Sequence, residues 1–123
     1  MKYKCFDGEQ LGSTGVAMKI SCYCGEMIFD STDNLPQKGH LIPDQAWLEM
    51  FDALEDQVVD RLAAGTLSFE AACMQMRELI CSPVRGIWQC ASCGKLYVDD
   101  LEGQLQCYVP ANEETDQRIL RGR

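Results

Sequence analysis

The residues best placed to do chemistry in this sequence are cysteines in two matching half-sites. The first runs Cys22-Tyr23-Cys24-Gly25-Glu26-Met27-Ile28-Phe29-Asp30, the second Cys90-Ala91-Ser92-Cys93-Gly94-Lys95-Leu96-Tyr97-Val98-Asp99. Each places Cys-Gly before one charged residue, three apolar or aromatic residues and an aspartate. Two turns that each present a pair of sulfurs suit a tetrahedral ion, and zinc binds thiolates strongly in sets of four. Glycine after the second cysteine admits a positive φ at no steric cost, so backbone amides can point at the thiolates. The expected centre is one structural Zn2+ held by Cys22, Cys24, Cys90 and Cys93. Four thiolates leave no coordination position open, which argues against metal catalysis.

The remaining reactive side chains form no convergent set. Cys90-Ala91-Ser92-Cys93 invites a dithiol redox reading, but such motifs sit at a helix N-terminus after a strand. Here Gly94 and a strand-like run follow. His40 is the only histidine, and no nucleophile or acid can be assigned to it, so it reads as a surface-loop residue. Cys73 falls on the core face of an expected helix and Cys107 on the inward side of an expected strand, where thiols pack as small hydrophobes. Cys107 is also the best substitute ligand. Cys5 reads as a bystander, and Cys81 carries no assigned role. No enzyme activity is expected.

Elements must bring the half-sites together. Residues 1–17 read as a detachable arm or alternative start. Val16 to Cys22 and Glu26 to Phe29 read as strands around the first turn, and 30–42 as a polar loop rich in turn formers. A long helix follows, with Asp44 as its N-cap and Gly65 just past its end. Trp47, Phe51, Leu54, Val58 and Leu62 recur at helical spacing and form its expected buried stripe. Ser68 caps a second helix, whose expected core face is Phe69, Ala72, Cys73, Met76, Leu79 and Ile80. It stops near Cys81 because Pro83 disfavours helix before it. Strands are expected at Gly86 to Cys90, Lys95 to Val98 and Gln104 to Val109, the last with Leu105, Cys107 and Val109 inward. Residues 111–123 read as a tail, a frayed helix or disordered.

The chain has 123 residues, a net charge of −8 and eight cysteines. That length suits one domain with a modest core, the size at which a metal often helps. The acidic balance argues against nucleic acid, whose binding needs Lys and Arg to replace phosphate counterions. It argues equally against an anionic membrane surface. No secretory signal or membrane span is visible. Thiols without an export signal stay reduced, so a cytoplasmic location and metal ligation are expected over a disulfide framework.

The arrangement resembles a zinc ribbon, in which two β-hairpin knuckles share one metal beside a further strand. The resemblance covers about residues 18–30 and 86–109 and is one of fold. Two features depart from it. The first knuckle is Cys-x-Cys rather than Cys-x-x-Cys, and 65 residues separate Cys24 from Cys90. A helical hairpin over 43–82 fills that spacer. The expected fold is therefore α+β: a small antiparallel zinc-ribbon sheet, residues 18–110, with an inserted αα-hairpin.

Function is expected to reside outside the cysteines. Glu49, Asp52, Asp56 and Asp60 fall along the first helix opposite its apolar stripe. Like charges at i, i+4 destabilise a helix, so this face is either merely solvated or a docking surface for a basic protein. The expected function is a non-catalytic, zinc-stabilised module that binds a protein partner through these acids. An immunity-type inhibitor of a basic toxin or nuclease is the narrower alternative. A nucleic-acid-associated ribbon and a dithiol redox protein are the other classes weighed.

Overall fold

The computed structural model describes residues 18–122, so the expected arm, Cys5 and the onset of the first strand before Met18 lie outside the described residues. The chain is α+β and divides into two compact units. The described part of one is the helical segment 42–84. The described part of the other joins 18–41 to 85–122. No described helix is long and apolar enough to cross a membrane.

The helical unit opens with α1, Asp44–Leu54. Pro43, in extended conformation, occupies the N-cap, so Asp44 is the first helical residue and not the cap expected of it. Its carboxylate still favours the positive end of the helix dipole. A π turn, Glu55–Val59, leads into α2, Asp60–Ala63. Within that turn the amide of Asp60 donates to the Glu55 carbonyl, five residues back. The inserted residue breaks the 3.6-residue period from there on, and the expected apolar stripe is buried only in part, at Val58 and, half-buried, at Leu54. Met50 and Val58 are buried, whereas Trp47 and Phe51 are 42% and 41% exposed and stack edge to face. Gly65 follows in the left-handed region at φ 79°. Its amide reaches Leu62 and that of Thr66 reaches Arg61, closing the helix end. The hydroxyl of Ser68 caps α3, Phe69–Cys81, by accepting from the Ala71 amide at 3.1 Å. Ala72 is buried, but Phe69, expected inward, is exposed. A bond from Gln75 to Gln57 links α3 to the π turn.

The other unit holds two antiparallel sheets rather than one. The first pairs β1, Met18–Ser21, with β2, Met27–Asp30. The second has the order β3-β4-β5-β6, with β3 Lys38–Leu41, β4 Arg85–Gln89, β5 Leu96–Asp99 and β6 Leu105–Tyr108. Strand β3 lies inside the expected loop. Its Lys-Gly-His-Leu sequence carries no alternation, and pairing with β4, Lys38 opposite Trp88 and His40 opposite Gly86, makes it a strand. His40 is accordingly on a sheet edge and not in a loop. A Cβ at Gly39 would meet Ile87 at 3.1 Å and Leu120 at 3.4 Å. At Gly86 a Cβ would overlap the Trp88 ring, so its absence makes room for the indole. The core consists of Ile20, Cys22, Ile28, Trp88, Cys90 and Tyr97, with Cys93 and Cys107 packed against it. Strand β6 is thinly covered: Leu105 and Val109, expected inward, are exposed.

The described tail, 111–122, forms turns rather than a helix. Buried Gln89 ties it down. Its amide nitrogen donates to the carbonyls of Gly94 at 3.2 Å and Asp116 at 3.1 Å, and its oxygen accepts from the Ile119 amide at 2.9 Å. A single polar side chain thus satisfies itself and orders the C-terminal segment, as buried amides require.

Candidate metal centre

Each half-site is a turn closed by backbone hydrogen bonds in the same pattern. At the first, the amide of Cys22 donates to Glu26 and that of Gly25 to Cys22, both at 2.9 Å. At the second, Cys90 donates to Lys95 at 2.9 Å and Gly94 to Cys90 at 2.8 Å. Gly25 and Gly94 adopt φ of 101° and 83°, the left-handed region that favours glycine. Both expected knuckles are present in this sense.

The turns bring the sulfurs of Cys22, Cys24, Cys90 and Cys93 within 4.8 Å of one another. Cys22 Sγ lies 3.5 Å from Cys93 Sγ, and Cys24 Sγ lies 3.6 Å from Cys90 Sγ. A tetrahedron of sulfurs about 2.3 Å from a central ion has edges of about 3.8 Å. The four residues therefore fit one ion of that size. Cys22 and Cys90 are buried, Cys93 is partly buried and Cys24 is exposed. Neither Cys107 nor His40 belongs to the group.

The surroundings divide the thiols electrically. Burial pushes the Cys22 thiol up, but the Cys24 amide, the Tyr97 hydroxyl and the neighbouring Cys93 outweigh it and bring it down to about 6. Burial dominates at Cys90 and raises that thiol, with Cys24 and Cys22 adding to the effect. Four thiolates this close repel one another strongly in a low dielectric. A bound cation is what would allow all four to ionise together.

Two residues of the site were not anticipated. The Tyr97 hydroxyl donates to Cys22 Sγ at 3.2 Å and accepts from the Tyr23 amide at 3.0 Å, so a strand of the second half-site holds the first knuckle by both its sulfur and its backbone. Lys95 Nζ donates to Cys93 Sγ at 3.7 Å. Desolvation would lower that ammonium, but the Cys93, Cys22 and Cys24 sulfurs raise it. A signal was present in the repeat. Three positions after the glycine the first half-site has Ile28 and the second Tyr97, both buried. One position after it, Glu26 becomes Lys95.

The repeated aspartates also part company. Asp30 is buried; its Oδ2 accepts from the Trp88 indole at 3.1 Å and pairs with Lys38 Nζ at 2.7 Å. Its Oδ1 is buried without a hydrogen bond. Asp99 is only partly buried. Of the expected partner surface, Glu49, Asp52, Asp56 and Asp60 are all exposed on the helical unit. None pairs with a cation among the described residues.

No curated protein and no solved structure matches this chain. A family model described as a domain of unknown function, DUF8617, matches residues 18–113, a span that holds all four clustered cysteines and both helices of the hairpin. The chain belongs to that family.

Proposed function

We propose that this protein is a non-catalytic interaction module whose sheet unit is stabilised by one structural zinc ion and whose acidic helix binds a basic protein partner in the cytoplasm. The observation that carries the first half is the four-sulfur cluster, closed by two glycine-terminated turns. All-thiolate donors favour zinc over hard cations, and the closed set supports a structural role. Tyr97 and Lys95 serve it as outer partners: one orients Cys22 and the other offsets part of the surplus negative charge.

The second half rests on Glu49, Asp52, Asp56 and Asp60, exposed and without cationic partners in the described chain. The carboxylates destabilise their own helix, a cost that a basic partner would reverse while gaining association rate. The test is affinity capture from the native cell at low salt, using the zinc-loaded chain and the variant Glu49→Gln/Asp52→Asn/Asp56→Asn/Asp60→Asn. A basic protein retained in stoichiometric amount by the first and lost by the second is expected. Retention undiminished by the quadruple variant would refute the acidic surface, and purified protein with no zinc would refute the scaffold.

A further inference from the structure

A shallow cavity of about 190 Å³, open to the surface of the helical unit, is lined by Ala46, Glu49 and Met50 from α1 and by Leu79, Ser82 and Pro83 from the end of α3 and just past it. We infer that this cavity receives one arginine side chain of the protein partner. The inference rests on the partner-binding reading above and deepens it. It adds to the acidic row a shaped receptor that involves only one of the four acids.

The lining has two kinds of surface. Met50 is buried, and Ala46, Leu79 and Pro83 are partly buried, so the cavity has apolar walls. Glu49 brings an exposed carboxylate with no cationic partner among the described residues. Ser82 adds an exposed hydroxyl.

A further acceptor comes from the way α3 stops. Its 13 residues end with no basic side chain in the last turn, so the negative end of the helix is uncompensated by its own chain. The carbonyl of Leu79 would ordinarily accept from the residue four positions later, but that residue is Pro83, which has no N–H. The neighbouring donors are used elsewhere: the Ser82 amide goes to Glu78 and the Val84 amide to Cys81. The carbonyl of Leu79, a residue that lines the cavity, is thus left without its helical donor.

These features select the occupant. An apolar wall suits the methylene stem of a long basic side chain, which buries its stem and keeps its charge at the rim. A carboxylate, a hydroxyl and a main-chain carbonyl offer several separated acceptors. Arginine presents five donors in a planar fork, whereas lysine is a compact point charge. A guanidinium can engage Glu49 and a second acceptor at once.

The probe is acetyl-Ala-Arg-Ala-amide, titrated into the full, metal-loaded chain and followed by NMR. Saturable shifts confined to residues 46–50 and 79–83 are expected. Glu49→Gln should weaken binding roughly tenfold, the scale of a charge-assisted hydrogen bond. Asp60→Asn, another of the four exposed acids but outside the cavity, should change it less than about twofold, as for exposed charges. Both positions are exposed, so neither variant threatens the fold. The inference fails if no saturable shift appears. It also fails if acetyl-Ala-Lys-Ala-amide binds equally well, or if Asp60→Asn weakens binding as much as Glu49→Gln. Capture and peptide binding are separate readouts. A chain that binds the arginine peptide but captures no basic protein keeps the cavity and loses the partner reading. A chain that captures a basic protein yet ignores the peptide does the reverse.

Discussion

The two knuckles share a motif but stand on different foundations. The first is carried by β1 and β2, a two-stranded sheet whose turn glycine, Gly25, has open space around it. The second joins β4 and β5 inside a four-stranded sheet, and its glycine is covered by Pro110 and Gln117. An isolated hairpin is marginal in water, whereas three or more strands with a packed face can persist. The second knuckle is therefore a fixed platform. The first is held onto it by the core that Ile20 and Ile28 share with Trp88 and Tyr97, and by polar ties that include the four-sulfur cluster, the Tyr97 hydroxyl and the Asp30–Trp88–Lys38 group. A sequence repeat does not imply a repeat in stability, because each copy draws on what surrounds it.

Metal removal should expose that difference most strongly. Structural zinc supplies about 10–16 kcal/mol in small domains, comparable to the whole net stability of a typical fold. Stripping the ion with a strong chelator is expected to abolish amide protection in β1 and β2 first, by hydrogen exchange. Protection in β4 and β5 should fall less. Equal collapse of both sheets would erase the distinction, and unchanged exchange in both would show that no structural metal is present.

The next effect should come from Asp30. It forms a buried pair with Lys38, whose side chains are 6% and 11% exposed. Asp30→Asn keeps an acceptor for the Trp88 indole but removes the carboxylate from its short ion pair with a largely buried ammonium. Breaking such a pair costs about 3–5 kcal/mol, to be read from a denaturant midpoint. A loss below about 1 kcal/mol would show that this tie contributes little to holding the first knuckle.

The glycines offer a finer comparison. Gly25→Ala should cost about 1–2 kcal/mol, the penalty of a Cβ in the left-handed region, since no atom lies within 4 Å of the added carbon. Gly94→Ala carries the same penalty and adds a clash, with Gln117 Cγ at 2.9 Å and Pro110 Cγ at 3.1 Å. It should cost about 1–3 kcal/mol more and loosen the tail, seen as lost protection around Ile119. Equal costs at the two positions would mean that the tail yields freely and does not brace the second knuckle.

What the sequence disclosed follows the range of the interactions involved. The knuckles were legible because a Cys pair, a glycine and a following strand are a local pattern, and both glycines do take positive φ. Ser68 as a cap and Gly65 as a helix end were legible for the same reason. Strand β3 was not, because Lys38-Gly39-His40-Leu41 becomes a strand only through β4, far along the chain. The apolar stripe of the first helix was legible only in part: Val58 is buried and Leu54 half-buried, but Trp47, Phe51 and Leu62 are exposed, and Met50, outside the stripe, is buried instead. The tail looked loose because its anchor, Gln89, lies in a different strand. At the centre itself the four cysteines could be named in advance. Tyr97 and Lys95 could not, since their roles depend on how one half-site lies against the other.

The smallest expected effect has the opposite sign to that of Asp30, although the two aspartates occupy the same place in the repeat. Burial pushes the Asp99 carboxyl up and Asp100 adds to this, against the lowering effect of the Gly86 amide, Arg85 and Lys38. A carboxyl raised in the folded chain binds protons there that the unfolded chain has already released. Stability therefore falls as pH climbs from the ordinary aspartate range, near about 4, through the raised folded value, and it stays reduced above that. Asp99→Asn removes the titrating group. It should flatten this part of the pH profile and leave the protein slightly more stable than wild type at neutral pH, by urea midpoints measured across the acidic range. Asp30→Asn moves stability the other way at neutral pH because there the carboxylate is the partner of a buried cation. If Asp99→Asn instead destabilises the chain at neutral pH, the second aspartate too is a structural tie, and the contrast between platform and attached knuckle narrows to the metal, Tyr97 and the tail.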